Sequence, residues 1–313
     1  MHFRREWPSL IALLLLYVFL AVAAPQFYSV SNLRDLALAN VSVLLVAAGM
    51  TLVIVVAEID ISVGSLFAVV SVCCGFLAKA GLPVPLLPVA ALIMGSALGA
   101  CNGALVSFVQ IPSIVVTLAT MVAWREALRW ITGGAWVEGL PNSFQWMGLG
   151  QASGQIIIVM AALAVFGALW WGSQHLSAGR MVFATGSNKE AARLAGLPTL
   201  HTTFSVFVLL GALTGLASFL NAIRFSDVPA NSGNGLELEA IAAVVVGGTS
   251  ITGGRGSLPG TFIGVILLGS IGPALTYLGT NPFWEKAIQG AIILLTVLFD
   301  AALRQRKRKL VVV

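Results

Sequence analysis

Two carboxylates, Glu58 and Asp60, stand two residues apart within a largely apolar stretch of the chain. An acid inside a membrane is costly, and it usually marks a path for a solute or a paired site. No accompanying nucleophile or base is evident, which excludes a catalytic pair. Ser62 and Gly64 suit an N-cap and an irregular turn. Asp60 therefore has the alternative role of capping the next helix, and Glu58 that of resting at the membrane interface.

Further polar residues interrupt the apolar segments. Asn102 is a candidate for lining a path, because a buried amide needs a hydrogen-bond partner. Glu126 and Arg129 are three residues apart and pair on one helix face. Arg125 needs another partner or must reach towards the membrane surface. An internal ion pair explains these charges, and a proton or sodium site that uses Glu58, Asp60 or Glu126 is the alternative.

A later polar stretch carries four charged residues that are candidates for docking a partner protein at the outer surface. Asn234 and Glu237 also fit a capping box, and acids gain from the positive end of a helix. Stabilisation of a helix end is therefore the alternative explanation. The four candidates are Arg224, Asp227, Glu237 and Glu239.

The longest polar interval predicted to face the cytoplasm covers residues 174–202. Ser187 and Glu190 fit a capping box that begins a short helix, and Gly196 and Pro198 are stop signals. A helix of about two turns is marginal alone in water, so it must be braced by the chain or by a partner. A face of this helix suits a groove on another protein, and a simple connector is the alternative. The helix is predicted to run through Ala191, Ala192, Leu194 and Ala195, and its open face contains Ala191, Leu194 and Ala195.

Composition places all these residues in a membrane protein. The chain is 58% hydrophobic and 9% charged, and its mean hydropathy is +0.97. A spanning helix needs about 20 apolar residues, and continuous apolar runs exclude a β-barrel. The sequence predicts an all-α polytopic membrane protein, with about ten transmembrane helices in a single domain over residues 1–313. The predicted spans are 9–24, 36–57, 61–80, 86–109, 113–131, 153–173, 203–222, 237–253, 258–279 and 283–302.

Charge sets the predicted orientation. With both termini in the cytoplasm, eleven Lys and Arg residues fall inside and five fall at or near outer ends, as the positive-inside rule requires. Five of the eleven lie in the tail at 304–309, which we expect to contact anionic lipid rather than nucleic acid. The first apolar segment resembles a signal peptide, and we expect it to be retained as the first span.

Several other chemistries are excluded. The three cysteines lie inside apolar runs without metal-ligand spacing, so we interpret them as packing residues. The glycines at 247–256 lack the pattern of a phosphate-binding loop, so we expect a tight turn there and no ATP hydrolysis by this chain. Gly95, Gly99 and Gly103 recur on one helix face, and Gly260 and Gly264 do so on another; both patterns predict close helix packing.

Three motifs resemble the ribose-type monosaccharide permeases of ATP-binding cassette (ABC) importers. Residues 178–196 contain the Glu-Ala-Ala-x-x-x-Gly core at 190–196. Residues 59–65 and 236–256 supply the other two motifs. Ala57-Glu58 stand where relatives often have Gly-Gly, and residues 132–141 are similar to permeases for rhamnose or the furanosyl signal autoinducer-2.

The resemblance implies a bacterial inner-membrane importer with several subunits. Residues 174–202 would be the cytoplasmic coupling loop, with Ser187, Glu190 and Gly196 in its core. The implied partners are a second permease copy or paralogue, two cytoplasmic ATPases that use ATP and Mg, and a periplasmic sugar-binding protein. No cofactor, metal or catalytic residue is expected in this chain itself. An ion-coupled secondary transporter is the alternative from a different class.

Overall fold

The computed structural model describes residues 6–281, 283–292, 294, 295 and 298. Within this part of the chain there are twelve named α-helices and no β-strand beyond an isolated bridge between Val137 and Val228. Residues 284–292 are also helical. The named helices are α1 (Trp7–Ala23), α2 (Val30–Val55), α3 (Val63–Lys79), α4 (Leu87–Ser107), α5 (Ser113–Thr132), α6 (Gln151–His175), α7 (Ser177–Ser187), α8 (Lys189–Leu194), α9 (Thr199–Ala222), α10 (Leu236–Val246), α11 (Leu258–Gly269) and α12 (Ile271–Tyr277).

Five segments of this part are long and apolar enough to cross a membrane. The apolar helices α1 and α3 have 17 residues each and are shorter than these five. The predicted all-helical, polytopic class therefore agrees with the structure, while the number of about ten crossings stays a prediction. The five segments are Val30–Val55, Val84–Ser107, Gln151–His175, Thr199–Ala222 and Leu258–Tyr277.

The predicted span 237–253 is wrong in length. Helix α10 has eleven residues and ends at Val246. Gly247 is its C-cap, and the left-handed φ of 91° at Gly248 turns the chain away from the helix axis. At 1.5 Å per residue α10 is about 16 Å long, roughly half of a 30 Å hydrocarbon core. Hydropathy did not reveal this stop, because the residues that follow the glycines are still largely uncharged.

Helix α2 lies at the centre of the bundle. Sixteen of its 26 residues are buried, and it packs against α6, α9, α10 and α11. The hydroxyls of Thr51 in α2 and Thr261 in α11 share a hydrogen bond of 2.7 Å. The same Thr51 hydroxyl also donates to the carbonyl of Ala47 one turn earlier. A polar side chain in the middle of this core is thus fully used by local and interhelical bonds.

Helices α4 and α9 approach each other through glycine. A Cβ atom added at Gly95 would lie 2.2 Å from the carbonyl oxygen of Gly211, and one added at Gly211 would lie 2.2 Å from that of Gly95. At Gly99 it would lie 2.4 Å from the carbonyl oxygen of Phe207. The predicted small face of α4 is confirmed, because only glycine permits this backbone separation. Gly264 of α11 approaches the carbonyl of Ala243 in α10 in the same way.

The charges expected at the two chain ends, at positions 4 and 5 and at 304–309, lie outside the described residues.

The glycine contact predicts opposite effects for two matched substitutions in long apolar helices. Gly211→Ala should destabilise the protein by about 1–3 kcal/mol, because a backbone oxygen cannot move aside as a flexible side chain does. Gly167→Ala in α6, where an added Cβ atom would meet no described residue beyond its own helix within 4 Å, should be neutral or stabilising by up to about 1 kcal/mol from helix propensity. Thermal unfolding of the purified variants in detergent measures both. Equal melting temperatures for the two variants would contradict the packing argument.

Candidate functional site

The short helix α8 begins one residue later than the sequence predicted. Asn188 is its N-cap, and its Oδ1 accepts a hydrogen bond of 2.9 Å from the backbone N–H of Ala191. Ser187 is the last residue of α7, so the predicted capping box of Ser187 and Glu190 is wrong. The extended backbone at Asn188, with φ at −161°, puts the change of direction there and makes Ala191 the third helical residue.

Glu190 forms an ion pair within α8 instead of capping it. Its two carboxylate oxygens accept hydrogen bonds of 2.6 Å and 3.1 Å from Arg193. The bonded guanidinium lowers the pKa of Glu190 below its ordinary value. A lowered pKa in the folded state stabilises the fold above the unfolded pKa, and this contribution is lost as the pH falls through the lowered value. The side chains of Arg193 and Glu190 are 66% and 64% exposed, so the pair adds little stability.

The end of α8 agrees with the predicted stop. Gly196 has a left-handed φ of 81°. The backbone N–H groups of Gly196 and Leu197 donate to the carbonyls of Arg193 and Ala192, at 3.0 Å each. This pair of bonds is a Schellman motif, which closes a helix at glycine. Hydrogen bonds at both ends therefore hold a helix of only six residues in place.

The predicted open face of α8 is exposed to solvent. The side chain of Leu194 is 77% exposed, and Ala191 and Ala195 are exposed beside it. Ala192, by contrast, is 6% exposed and packs inwards. An exposed leucine at the tip of a polar segment is a candidate contact for a partner protein. Ala192 braces the helix from the other side.

A cavity of about 550 Å³ lies beside α8. It is bordered by Glu58 from the α2–α3 connection, by the α4–α5 connection and by the start of α9. The Nζ atom of Lys189, the first residue of α8, lies 3.8 Å from the Oε1 atom of Glu58. Glu58 therefore faces α8 and forms an ion pair with it, a contact that sequence reasoning missed.

The structure brings Asp60 and Asn102 together, with Ser62 between them. Asp60 is 1% exposed and accepts hydrogen bonds from the backbone N–H and the hydroxyl of Ser62, at 2.8 Å and 2.6 Å. The amide nitrogen of Asn102 donates to the Ser62 hydroxyl at 2.8 Å and to Asp60 at 3.4 Å. The buried Oδ1 atom of Asn102 has no protein partner within the described residues. This polar cluster joins α4 to the chain just before α3.

The alternative role of Asp60, as the cap of α3, is wrong. Ser62 is the N-cap residue of α3, and its side chain makes no capping bond there. The Asp60 carboxylate instead accepts the N–H two residues later, as in an Asx turn. Asp60 therefore shapes the irregular connection between α2 and α3.

The residues proposed for docking at the outer surface are partly used inside the molecule. Arg224 donates to the carbonyl of Leu38 at 3.1 Å, and Asp227 accepts a bond from the Ser226 hydroxyl at 2.9 Å. Glu239 forms an ion pair with Lys286. The Glu237 carboxylate lies against the backbone of Gly64 at the start of α3.

The predicted capping box of Asn234 and Glu237 is wrong. Gly235, in a left-handed conformation with φ at 83°, is the N-cap of α10 and has no side chain to accept a bond.

Among the charges of α5, Arg129 donates to Glu126 at 2.7 Å, as predicted. Arg125 finds its partner outside α5, in the carbonyl of Ser232 at 3.1 Å.

A second cavity, of about 350 Å³, was not foreseen from the sequence. It lies between the first half of α2, the start of α10, the end of α11 and the helical residues 284–292. Carboxylates and carboxamides share its lining with apolar side chains, a mixture that suits the hydroxyl groups of a neutral polar solute. Its polar lining residues are Asn32, Asp35, Asn40, Glu239, Glu285 and Gln289.

A family model and individual relatives both identify the chain as similar to transport permeases. Residues 32–297 match the family described as branched-chain amino acid transport system, permease component. The chain belongs to this permease family. It is 34% identical over 307 residues to the ribose import permease protein RbsC of Escherichia coli (strain K12). The aligned region covers 96% of each of the two chains.

Autoinducer 2 import system permease proteins named LsrC are similar to the same extent. The protein from Salmonella typhi is 35% identical over 305 residues, which are 96% of this chain and 86% of the relative. The protein from Escherichia coli O157:H7 is 35% identical over 300 residues, with 96% and 88% covered. No solved structure matches the chain. The predicted resemblance to ribose-type and autoinducer-2 permeases is thus confirmed.

The Asp60 cluster predicts a structural cost for removing one amide. Asn102→Leu removes the amide that donates to both Ser62 and Asp60. The buried oxygens of these two residues then lose a hydrogen-bond donor, which should destabilise the protein by about 1–3 kcal/mol. Asn234→Leu, at an exposed position, is the control and should change stability little. Thermal unfolding in detergent measures both variants. Unchanged unfolding of Asn102→Leu would show that the cluster does not hold α4 to the α2–α3 connection.

Proposed function

We propose that this chain is the membrane permease subunit of an ATP-driven importer for a monosaccharide or a closely related small polyol. The observation that carries the proposal is the similarity to ribose and autoinducer-2 import permeases over 96% of the chain. The family description names amino acids as cargo, whereas these relatives are named for ribose and autoinducer 2. Full-length similarity to individual permeases is the more specific guide to the solute.

The remaining subunits follow from the same proposal. Two cytoplasmic ATPases bind ATP and Mg, a periplasmic binding protein delivers the solute, and a second permease copy or paralogue completes the membrane part. The chain itself is a single transport domain without a cofactor or an ATPase site of its own. It lies in the bacterial inner membrane with about ten crossings and both termini in the cytoplasm, as the distribution of Lys and Arg supports.

Helix α8 is the proposed contact for the ATPases, and we call it the coupling helix. Its closed hydrogen bonds at both ends support this role, because a short helix that must transmit force needs a fixed geometry. The exposed side chain of Leu194 supports it as well. ATPase closure would push the coupling helix and shift the spans between outward and inward access.

The solute path is proposed to include Glu58, Asp60 and Asn102 towards the cytoplasm. The cavity bordered by Asn40 and Glu239 lies towards the opposite end of α2 from Glu58 and supports an entry region there. Its carboxylates favour neutral hydroxyl-bearing solutes over anions. Docking of the binding protein is proposed near Arg224, Asp227, Glu237 and Glu239. Of these, Asp227 is the better candidate for direct contact, because it bonds to the adjacent, exposed Ser226, whereas Arg224, Glu237 and Glu239 contact distant parts of the chain.

Leu194→Asp should prevent the ATPase from co-purifying with the tagged permease. A carboxylate at the centre of an apolar contact loses hydration without gaining a partner, which is why it weakens docking. Leu149→Asp, at a half-exposed position on the predicted outer side, is the matched control and should retain the ATPase. Ala192→Asp discriminates less well, because a charge at that buried position also disrupts the brace of α8. Full recovery of ATPase with Leu194→Asp would contradict this assignment of the coupling helix.

Uptake by the complete complex in liposomes tests the transport class. Labelled ribose should enter only when ATP is supplied on the ATPase side and the binding protein is present on the other side. Uptake by the permease alone, driven by a proton or sodium gradient, would instead support an ion-coupled carrier. Repeating the uptake measurement with rhamnose and with autoinducer 2, each supplied with its own binding protein, shows which of the three solutes is transported.

A further inference from the structure

The carboxyl end of α2 is held between two other segments of the predicted cytoplasmic side. The backbone N–H of Gly254, in the α10–α11 connection, donates to the carbonyl of Val55 at 2.8 Å. A Cβ atom at Gly186, near the end of α7, would lie 1.6 Å from the same carbonyl oxygen. Three separate parts of the chain therefore meet at one peptide group, and none can move far without displacing another.

An ion pair extends this junction to the coupling helix. Glu58 lies three residues beyond the end of α2, and its carboxylate is 3.8 Å from the Lys189 ammonium at the start of α8. The Glu58 side chain is 18% exposed and that of Lys189 is 47% exposed. A single pair of this kind contributes little to overall stability. Its effect is to fix the position of α8 relative to the α2–α3 connection.

The residues that follow Glu58 contact helices in the interior of the bundle. The backbone N–H of Ile59 donates to the hydroxyl of Ser113, the first residue of α5, at 3.2 Å. Asp60 follows and is bonded to Ser62 and Asn102. A displacement of Glu58 therefore reaches the first turn of α5 and the buried cluster on α4 within two residues.

The junction also carries features that oppose its present arrangement. Ala57 has a left-handed φ of 67°, which is unfavourable for a residue with a Cβ atom. The hydroxyls of Thr185 in α7 and Thr249 after α10 are buried and have no hydrogen-bond partner within the described residues. Buried hydroxyls without partners lower the stability of the arrangement that contains them.

We propose that Glu58 is a positioning residue that couples the movement of α8 to the α2–α3 connection through its ion pair with Lys189. The inference depends on the proposed ATP-driven function and adds the residue pair that transmits the movement. Glu58 then acts as a mechanical contact at the cytoplasmic end of the path, and need not touch the solute. When ATPase closure displaces α8, Lys189 displaces Glu58, and the Asp60 cluster moves with it.

Charge exchange between the two positions tests this proposal in the reconstituted complex. Glu58→Lys and Lys189→Glu alone should each lower the amount of solute transported per ATP hydrolysed by roughly fivefold or more, the usual size of a coupling between sites. The double variant, which restores an opposite pair, should recover most of that ratio. Transport and ATP hydrolysis are measured in the same liposomes, with subunit composition checked by gel filtration.

The matched control exchanges the exposed Glu126–Arg129 pair of α5, which should leave the ratio unchanged. The proposal is overturned if either single variant transports with the wild-type ratio, or if the double variant recovers nothing. It is also overturned if Glu58→Lys loses the ATPases from the complex, because the pair would then serve assembly. A wild-type complex that transports without ATP would instead refute the proposed function itself.

Discussion

The carbonyl group of Val55, at the end of α2, imposes the constraint on which the junction of α2, α7 and the α10–α11 connection depends. The last carbonyls of a helix have no partner within the helix, and a buried one must find a donor elsewhere. Gly254 supplies that donor from a connection 199 positions later in the sequence, and Gly186 leaves space for it. Because α2 ends in this way, the chain can turn at Ala57, place Glu58 beside α8 and bury Asp60 against Asn102.

Hydropathy predicted where helices occur, but not where each one stops. Apolar runs located α2, α4, α6 and α9 to within a few residues, except that α2 starts six residues before its predicted span. The length of α10 was missed because its end depends on the backbone angles at Gly247 and Gly248. The residues that follow are largely uncharged, so hydropathy gives no sign of the stop. The contact of α4 with α9 was foreseeable in part, since glycines repeated every fourth residue indicate a face for close packing.

Local signals identified the coupling helix but misplaced its first residue. Ser187 and Asn188 are both good N-cap residues, and the choice between them depends on where α7 ends. Nothing in the sequence marks that end, because residues 177–187 are too short and too mixed in polarity to be recognised as a separate helix. The stop at Gly196 was predictable, since a glycine followed by leucine and proline leaves few alternatives.

Contacts between distant residues were beyond sequence reasoning. Glu58, Asp60 and Asn102 were each identified as unusual polar residues, yet their partners depend on tertiary packing. The carboxylate of Glu58 pairs with Lys189, 131 positions later, whereas Asp60 binds a side chain only 42 positions away. No periodicity distinguishes these two outcomes. The cavity of about 350 Å³ was missed for the same reason, because Asn40 and Gln289, which both line it, lie far apart in the sequence.

The glycine contact between α4 and α9 has a mechanical consequence. Two helices separated by a layer of side chains can slide past each other as rotamers change, whereas backbones in direct contact have no such layer to deform. We therefore expect α4 and α9 to move together in a conformational cycle. The Asp60 cluster fastens the α2–α3 connection to α4, and hence to this pair of helices. We expect shear at surfaces packed through side chains instead.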